Sequence, residues 1–314
     1  MCGIVGYVGK KEALPILING LKALEYRGYD SAGVAIITGD KIKVKKSVGQ
    51  VRVLEKDLEN EKFVGHLGIG HTRWATHGAP TESNAHPHID CTGRISVVHN
   101  GIIENYKELK KYLEGEGHSF SSETDTEVVP HLIENFLKQG NSFNTALVDT
   151  LKMIKGAYAL AIIDRENSNT LYATKLSSPL VVGAGIKENF LASDPSALVG
   201  KTKKVIYLKD GEIAKIRQNE ISVTNLEKQE TPFEIVQLGW DLEQAQKGDF
   251  PHFMLKEIFE GPEVVRATFL GRVRGRENLV KLGGLEQVAD KLKKVKRLLI
   301  LACGTSYYAG LVGE

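Results

Sequence analysis

The feature that most narrows the possible folds is the order in which two kinds of periodicity follow one another along the chain. From Ala157 to Thr224, short β-prone runs (Tyr158–Ile163, Leu171–Ala173, Leu180–Gly183, Val205–Leu208, Ile213–Ile216) alternate with Gly, Asp and Asn turns. Before them, apolar residues recur at helical spacing over about 105–116, 126–138 and 143–155, the last with Leu147, Leu151 and Ile154 on one face. Earlier still, Gly3–Val8 is an apolar run suited to a buried strand, and Leu14, Leu17, Leu21 and Leu24 mark a helix that tolerates Pro15 in its first turn. The runs 33–38 and 42–46 flank Gly39-Asp40 as a hairpin, and Ile95–His99 reads as another strand. Strands, then helices, then strands predict an α+β chain layered as helix, sheet, sheet, helix.

The last third is different. A polar stretch containing Pro232 and Pro251, then a helical segment near Met254–Leu270, reads as a linker over 227–284. Leu298–Ala302 is fully apolar and predicts a strand, which runs into Cys303-Gly-Thr-Ser and opens a second α/β unit over 285–314. The first domain is then 2–226. A strand ending in a Gly-Thr-Ser turn before a helix offers backbone N–H groups and hydroxyls to a phosphate, although an ordinary strand-to-helix turn looks the same. Net charge is +2, which points to neither a nucleic acid nor a membrane surface as partner. No apolar run approaches the length of a membrane span, and the first residues lack a secretory signal. The three cysteines are scattered, with no CxxC pair; that argues against disulfides and against a zinc site, and for a reducing, cytoplasmic setting. No cofactor and no metal are expected.

Cys2 carries a chemical possibility of its own. Removal of Met1 would leave a residue with both a thiol and an α-amine. Their reference pKa values, about 8.5 and about 7.7–8.0, make the amine a plausible base for its own thiol. A site that attacks the carboxamide of an amino acid also needs a fixed cation, a fixed anion and donors for an oxyanion. Arg73, in the loop His71-Thr-Arg-Trp-Ala-Thr-His-Gly78, has the planar fork for a carboxylate. Asn100-Gly101, directly after the strand ending at His99, offers a side-chain amide and an unobstructed backbone N–H, and Asp125 offers an anion. Taken singly, each reads better as ordinary structure: an ion pair, a turn, a helix cap.

Together the segments resemble the class II glutamine amidotransferases, and among these the isomerising glutamine–fructose-6-phosphate aminotransferases. The resemblance rests on Met1-Cys-Gly-Ile-Val-Gly6, Leu24-Glu-Tyr-Arg-Gly-Tyr-Asp-Ser-Ala-Gly33, the 71–78 segment, Asn84-Ala-His-Pro-His88 and Val97-Val-His-Asn-Gly-Ile-Ile-Glu-Asn105. It continues through Ser122-Glu-Thr-Asp-Thr-Glu127, Gly156-Ala-Tyr158, Ala192-Ser-Asp-Pro195 and Leu301-Ala-Cys-Gly-Thr-Ser306. The resemblance implies an N-terminal-nucleophile hydrolase fold and, beyond it, the start of a flavodoxin-like sugar isomerase domain in a chain shorter than the whole protein. It also implies that Cys2 attacks glutamine to form a thioester and release ammonia, with Asn100 and Gly101 holding the oxyanion. Arg73, Trp74, Thr76, His77 and Asp125 would bind glutamine, with Trp74 as a gate for ammonia and Arg27 close to the nucleophile. Thr305 and Ser306 would contact the phosphate of fructose 6-phosphate, in a protein that is a homodimer when full length. Other class II amidotransferases, such as the amidophosphoribosyltransferase type, would need a phosphoribosyl-pyrophosphate motif that Leu301–Ser306 does not supply. A non-catalytic sugar-phosphate sensor would have no reason to keep Cys2, Arg73, Asn100 and Asp125 together. Pro130 sits uneasily in the helix expected after Asp125, which must start late or kink.

Overall fold

In the computed structural model, the described residues are 2–75, 78–239, 250–269, 273–274, 279–280, 288–302 and 304–314. The chain divides into two compact units, Met1–Ala245 and Gln246–Glu314.

The first unit opens with β1 (Gly3–Gly9), α1 (Ala13–Leu24), β2 (Ser31–Thr38), β3 (Lys41–Val48), α2 (Val51–Leu58) and β4 (Leu67–Arg73). It continues with β5 (His88–Ile89), β6 (Ile95–Ile103), α3 (Tyr106–Gly115), α4 (Val128–Lys138) and α5 (Phe143–Met153). The strands β7 (Gly156–Asp164), β8 (Leu171–Leu176), β9 (Val181–Ala184), β10 (Glu188–Ala192), β11 (Lys204–Tyr207), β12 (Ile213–Ile216), β13 (Ile221–Thr224) and β14 (Val236–Gln237) complete it. One sheet has the order β14-β11-β9-β10-β1-β4-β2-β3, the other β13-β12-β8-β7-β6-β5. Every named pairing is antiparallel.

The period-two alternation of the central strands explains the layering. In β1, Val5 and Tyr7 join α1 and α2 in one core, while Ile4 and Val8 turn to the other sheet. In β7, Tyr158, Leu160 and Ile162 pack against the helices α3 to α5, while Ala159, Ala161 and Ile163 fill the space between the sheets. Three apolar cores thus separate four layers, as the order of periodicities predicts. All residues of β1 are buried because both faces are covered, so it reads as a continuous apolar run.

The Pro130 conflict resolves at the helix start. α4 begins at Val128, so Pro130 occupies its third position, where the N–H has no intrahelical acceptor to lose. The penalty of about 3 kcal/mol for an interior proline does not arise.

In the second unit, a helix spans Phe253–Phe269 with Pro262 inside it, and another spans Thr305–Gly313. The strand expected at Leu298–Ala302 is not formed. These residues are irregular and unpaired, and Leu298 and Leu301 are 80% and 84% exposed. A strand needs a neighbour to take its N–H and C=O groups, and none of the described residues pairs with this one. No described helix is long and apolar enough to cross a membrane.

Candidate active site

The site grows out of the interlayer core. On the face where β1 presents Ile4 and Val8 to the other sheet, the alternation places Cys2 one pleat earlier. On the same interlayer face of β4, Leu67 and Ile69 are followed by His71 and Arg73; on β6, Val98 is followed by Asn100. On each of these strands the apolar interlayer residues give way to polar ones, and Cys2, Arg73 and Asn100 come together.

They line one cavity of about 280 Å³, whose walls include Cys2, Arg73, Trp74, Asn100, Gly101 and Asp125. Arg27, Ser178 and Pro179 complete part of the rim. The Trp74 N–H donates to Cys2 Sγ at 3.2 Å, and Asn100 Nδ2 donates to the Cys2 carbonyl at 3.0 Å. Burial pushes the Cys2 thiol above its ordinary pKa, while the Trp74 N–H works in the opposite direction. A thiol in that state needs a base to become a nucleophile.

The orientation of the Asn100 amide follows from His71. His71 Nε2 lies 3.0 Å from the His99 carbonyl oxygen and 3.0 Å from Asn100 Oδ1. A carbonyl only accepts, so Nε2 carries the hydrogen, and the Asn100 atom facing it must be the oxygen. The NH₂ is thereby turned toward Cys2. Complete burial lowers the His71 pKa to about 3, so the ring stays neutral and keeps this single donor. The ring stacks on His86 at a centroid distance of 4.2 Å. Sequence reasoning gave His71 no role, although it lies within a quoted motif.

Gly101 follows Asn100 within β6. The strand does not end at His99 but runs to Ile103, because β7 pairs with it through Ala157 and Gly156. At φ +131°, and with Ala157 O only 2.0 Å from where a Cβ would stand, no other residue fits here. Asp125 is buried just before α4, and its Oδ2 accepts the Ile103 N–H at 2.7 Å, which ties the carboxylate to the end of β6. It is not the cap of α4, whose N-terminal flanking residue is Glu127.

Arg73 ends β4 rather than lying in a loop. Its guanidinium donates to the carbonyls of Ala79 and Gly78 at 3.2 and 3.3 Å, closing the turn that follows it. Asp30, also without a role in the sequence reading, accepts the Ala75 N–H and so fixes the chain just after Trp74. Gly28 allows this crossing: a Cβ there would stand 2.7 Å from the Arg73 carbonyl carbon. The Trp74 ring is half exposed and meets Tyr29 edge-on at 5.5 Å. Arg27 is buried and pairs with Asp194 at 3.0 Å; the neighbouring Ser193 Oγ accepts the Ile4 N–H. The 192–195 motif therefore anchors both Arg27 and the start of β1. Thr76 and His77 lie outside the described residues. Thr305 and Ser306 start the helix Thr305–Gly313 of the other unit, and Ser306 is exposed.

A family profile described as a glutamine amidotransferase domain matches residues 71–200, which carry Arg73, Asn100, Gly101 and Asp125. A glutamine amidotransferase domain is thus present in the chain. Along its whole length it is 47% identical to a glutamine–fructose-6-phosphate aminotransferase (isomerising) of Chlorobaculum tepidum and 50% identical to one of Aquifex aeolicus. It spans about half the length of these curated relatives, 52% and 51%. Among solved structures, 72% of the chain superposes on 49% of the glutamine phosphoribosylpyrophosphate amidotransferase of B. subtilis, at 30% identity and a TM-score of 0.62. The N-terminal-nucleophile sandwich expected from the sequence is the fold of this amidotransferase.

Proposed function

We propose that Cys2, exposed as the first residue by loss of Met1, hydrolyses glutamine in this cavity. The observation that carries the reading is that Cys2, Arg73, Asn100, Gly101 and Asp125, drawn from four separate segments, border one cavity. The α-amine takes the thiol proton, and the sulfur attacks the carboxamide carbon. The resulting oxyanion receives one hydrogen of the Asn100 NH₂ and the Gly101 N–H; the other Asn100 hydrogen stays on the Cys2 carbonyl. The C–N bond then breaks, the ammonium group of Cys2 returns its proton to the leaving nitrogen, and ammonia departs from a thioester. Water, deprotonated by the same amine, hydrolyses the thioester to glutamate and restores the thiol. Arg73 takes the α-carboxylate of glutamine and Asp125 its ammonium group, with Trp74, Thr76 and His77 around them. In the whole protein the ammonia would be passed to fructose 6-phosphate, giving glucosamine 6-phosphate. The names of the aminotransferase relatives, matched along the entire chain, support that acceptor over a phosphoribosyl one.

The test of the clamp is kinetic. Arg73→Ala is expected to raise KM for glutamine with little change in kcat, because a carboxylate contact remote from the reacting carbon serves ground and transition states alike. Glutamate release measured over a range of glutamine concentrations decides it. A fall in kcat at unchanged KM would remove Arg73 from the clamp.

A further inference from the structure

A second convergence of chemistry-bearing side chains lies apart from the Cys2 cavity, on the helical side of the smaller sheet. Cys91 comes from the turn between β5 and β6, His118 from the chain after α3, and His131 and Glu134 from one face of α4. One ligand atom from each of the four lies within 4.8 Å of all the others. Cys91 Sγ is 3.9 Å from His118 Nδ1 and 3.6 Å from His131 Nδ1. Glu134 Oε2 is 3.0 Å and 3.4 Å from the same two nitrogens. Around a tetrahedral zinc ion, bonded at about 2.0–2.1 Å to nitrogen or oxygen and about 2.3 Å to sulfur, donor atoms stand roughly 3.3–3.6 Å apart. Four of the six separations, 3.0–3.9 Å, bracket that spacing, and all six lie within 4.8 Å.

The surrounding hydrogen bonds aim the lone pairs inward. Asn135 Nδ2 donates to Tyr112 Oη at 3.1 Å, which leaves Asn135 Oδ1 as the acceptor facing His118 Nε2 at 3.4 Å. His118 then carries its hydrogen on Nε2 and turns a bare Nδ1 toward the Glu134 carboxylate. Two acceptors 3.0 Å apart need a positive charge between them, a proton or a metal ion, and Lys138 Nζ meets the other Glu134 oxygen at 2.8 Å. On the other ring, His131 Nε2 faces Glu127 Oε1 at 3.7 Å, the carboxylate-behind-histidine arrangement that orients metal ligands. His118, His131 and Glu134 are buried, whereas Cys91 is exposed, so an ion would enter from the thiol side.

We propose that Cys91, His118, His131 and Glu134 form a structural zinc site. One thiolate, two imidazoles and one carboxylate make a donor set of intermediate softness suited to zinc, and four protein ligands leave no open position for catalysis. Binding would release the Cys91 proton and tie the β5–β6 turn and the chain after α3 to α4. The spacing 91, 118, 131, 134 contains no metal motif, so only the fold reveals it.

The experiment uses the full chain, stripped with a chelator, reloaded with zinc and then dialysed. Elemental analysis is expected to find stoichiometric zinc, and zinc should raise the melting temperature of the stripped protein. Cobalt in place of zinc should give a thiolate charge-transfer band and the strong visible bands of a tetrahedral site. Cys91→Ser, a change at an exposed side chain, and His131→Gln should both lose the stoichiometric metal. Cys91→Ser should lose the charge-transfer band and the zinc-dependent rise in melting temperature, whereas Cys2→Ala keeps both. Wild-type protein that retains no zinc after reloading would overturn the proposal, as would a Cys91→Ser protein that holds as much zinc as wild type.

Discussion

Replacing Cys2 with alanine is expected to abolish glutamine hydrolysis, with a loss in kcat on the order of 10⁶, as when other hydrolases lose their nucleophile. The fold should be untouched. Cys2 precedes β1, and its side chain accepts from the Trp74 N–H and donates weakly to the Trp74 carbonyl, beside a cavity that solvent can enter. Melting temperature and circular dichroism should therefore match wild type. The companion experiment leaves the thiol intact and removes the amine: a variant that retains Met1, or carries an extra residue ahead of Cys2, keeps the sulfur but converts the base into an amide. It should be nearly as inactive as Cys2→Ala, because burial holds the thiol protonated and no other base has been assigned to it. Intact-mass measurement confirms which terminus each preparation carries. Full activity with Met1 in place would refute the amine as base, and activity in Cys2→Ala would refute the nucleophile.

The layered fold was legible because each central strand is buried on both faces or alternates cleanly, and because the helices carry apolar residues at three- and four-residue spacing. What escaped were segments whose polar or glycine content hides a strand. β4 reads Leu-Gly-Ile-Gly-His-Thr-Arg, and its last three residues looked like a loop. They are strand because β1 and β2 pair with them on both sides, and its glycines leave room for Leu17, Leu21 and Val34. Asn100-Gly101 looked like a turn for the same reason: propensity reads the residues, whereas pairing with β7 sets the conformation. The residues proposed to contact substrate are named through the family resemblance, because the charges glutamine demands make Arg73 and Asp125 candidates and no more. The residues that hold them cannot be named that way. His71 and Asp30 matter only through distances of about 3 Å or less to groups 29 and 45 positions away in the chain. Cys91 and His118 are likewise brought to α4 only by the fold.

The second large effect concerns the oxyanion donors. Asn100→Ala is expected to lower kcat by roughly 10²–10³, as loss of one preorganised donor does in other hydrolases, with KM for glutamine little changed. His71 should act through the same group. Its Nε2–H holds Asn100 Oδ1, and without it only the contact with the Cys2 carbonyl keeps the NH₂ facing Cys2. His71→Phe keeps a flat ring to stack on His86 but removes that donor, and kcat should fall by up to about 10²-fold. The variant also leaves the His99 carbonyl without the His71 donor, a cost of about 1–3 kcal/mol in stability, so a lower melting temperature alone would be uninformative. The double variant separates the two explanations. If His71 serves only to orient the Asn100 amide, His71→Phe in an Asn100→Ala background should cost almost nothing further in kcat, because the group it positions is already gone. If the two losses instead multiply, His71 contributes to catalysis by some route other than Asn100, and the hydrogen bond between them is structural.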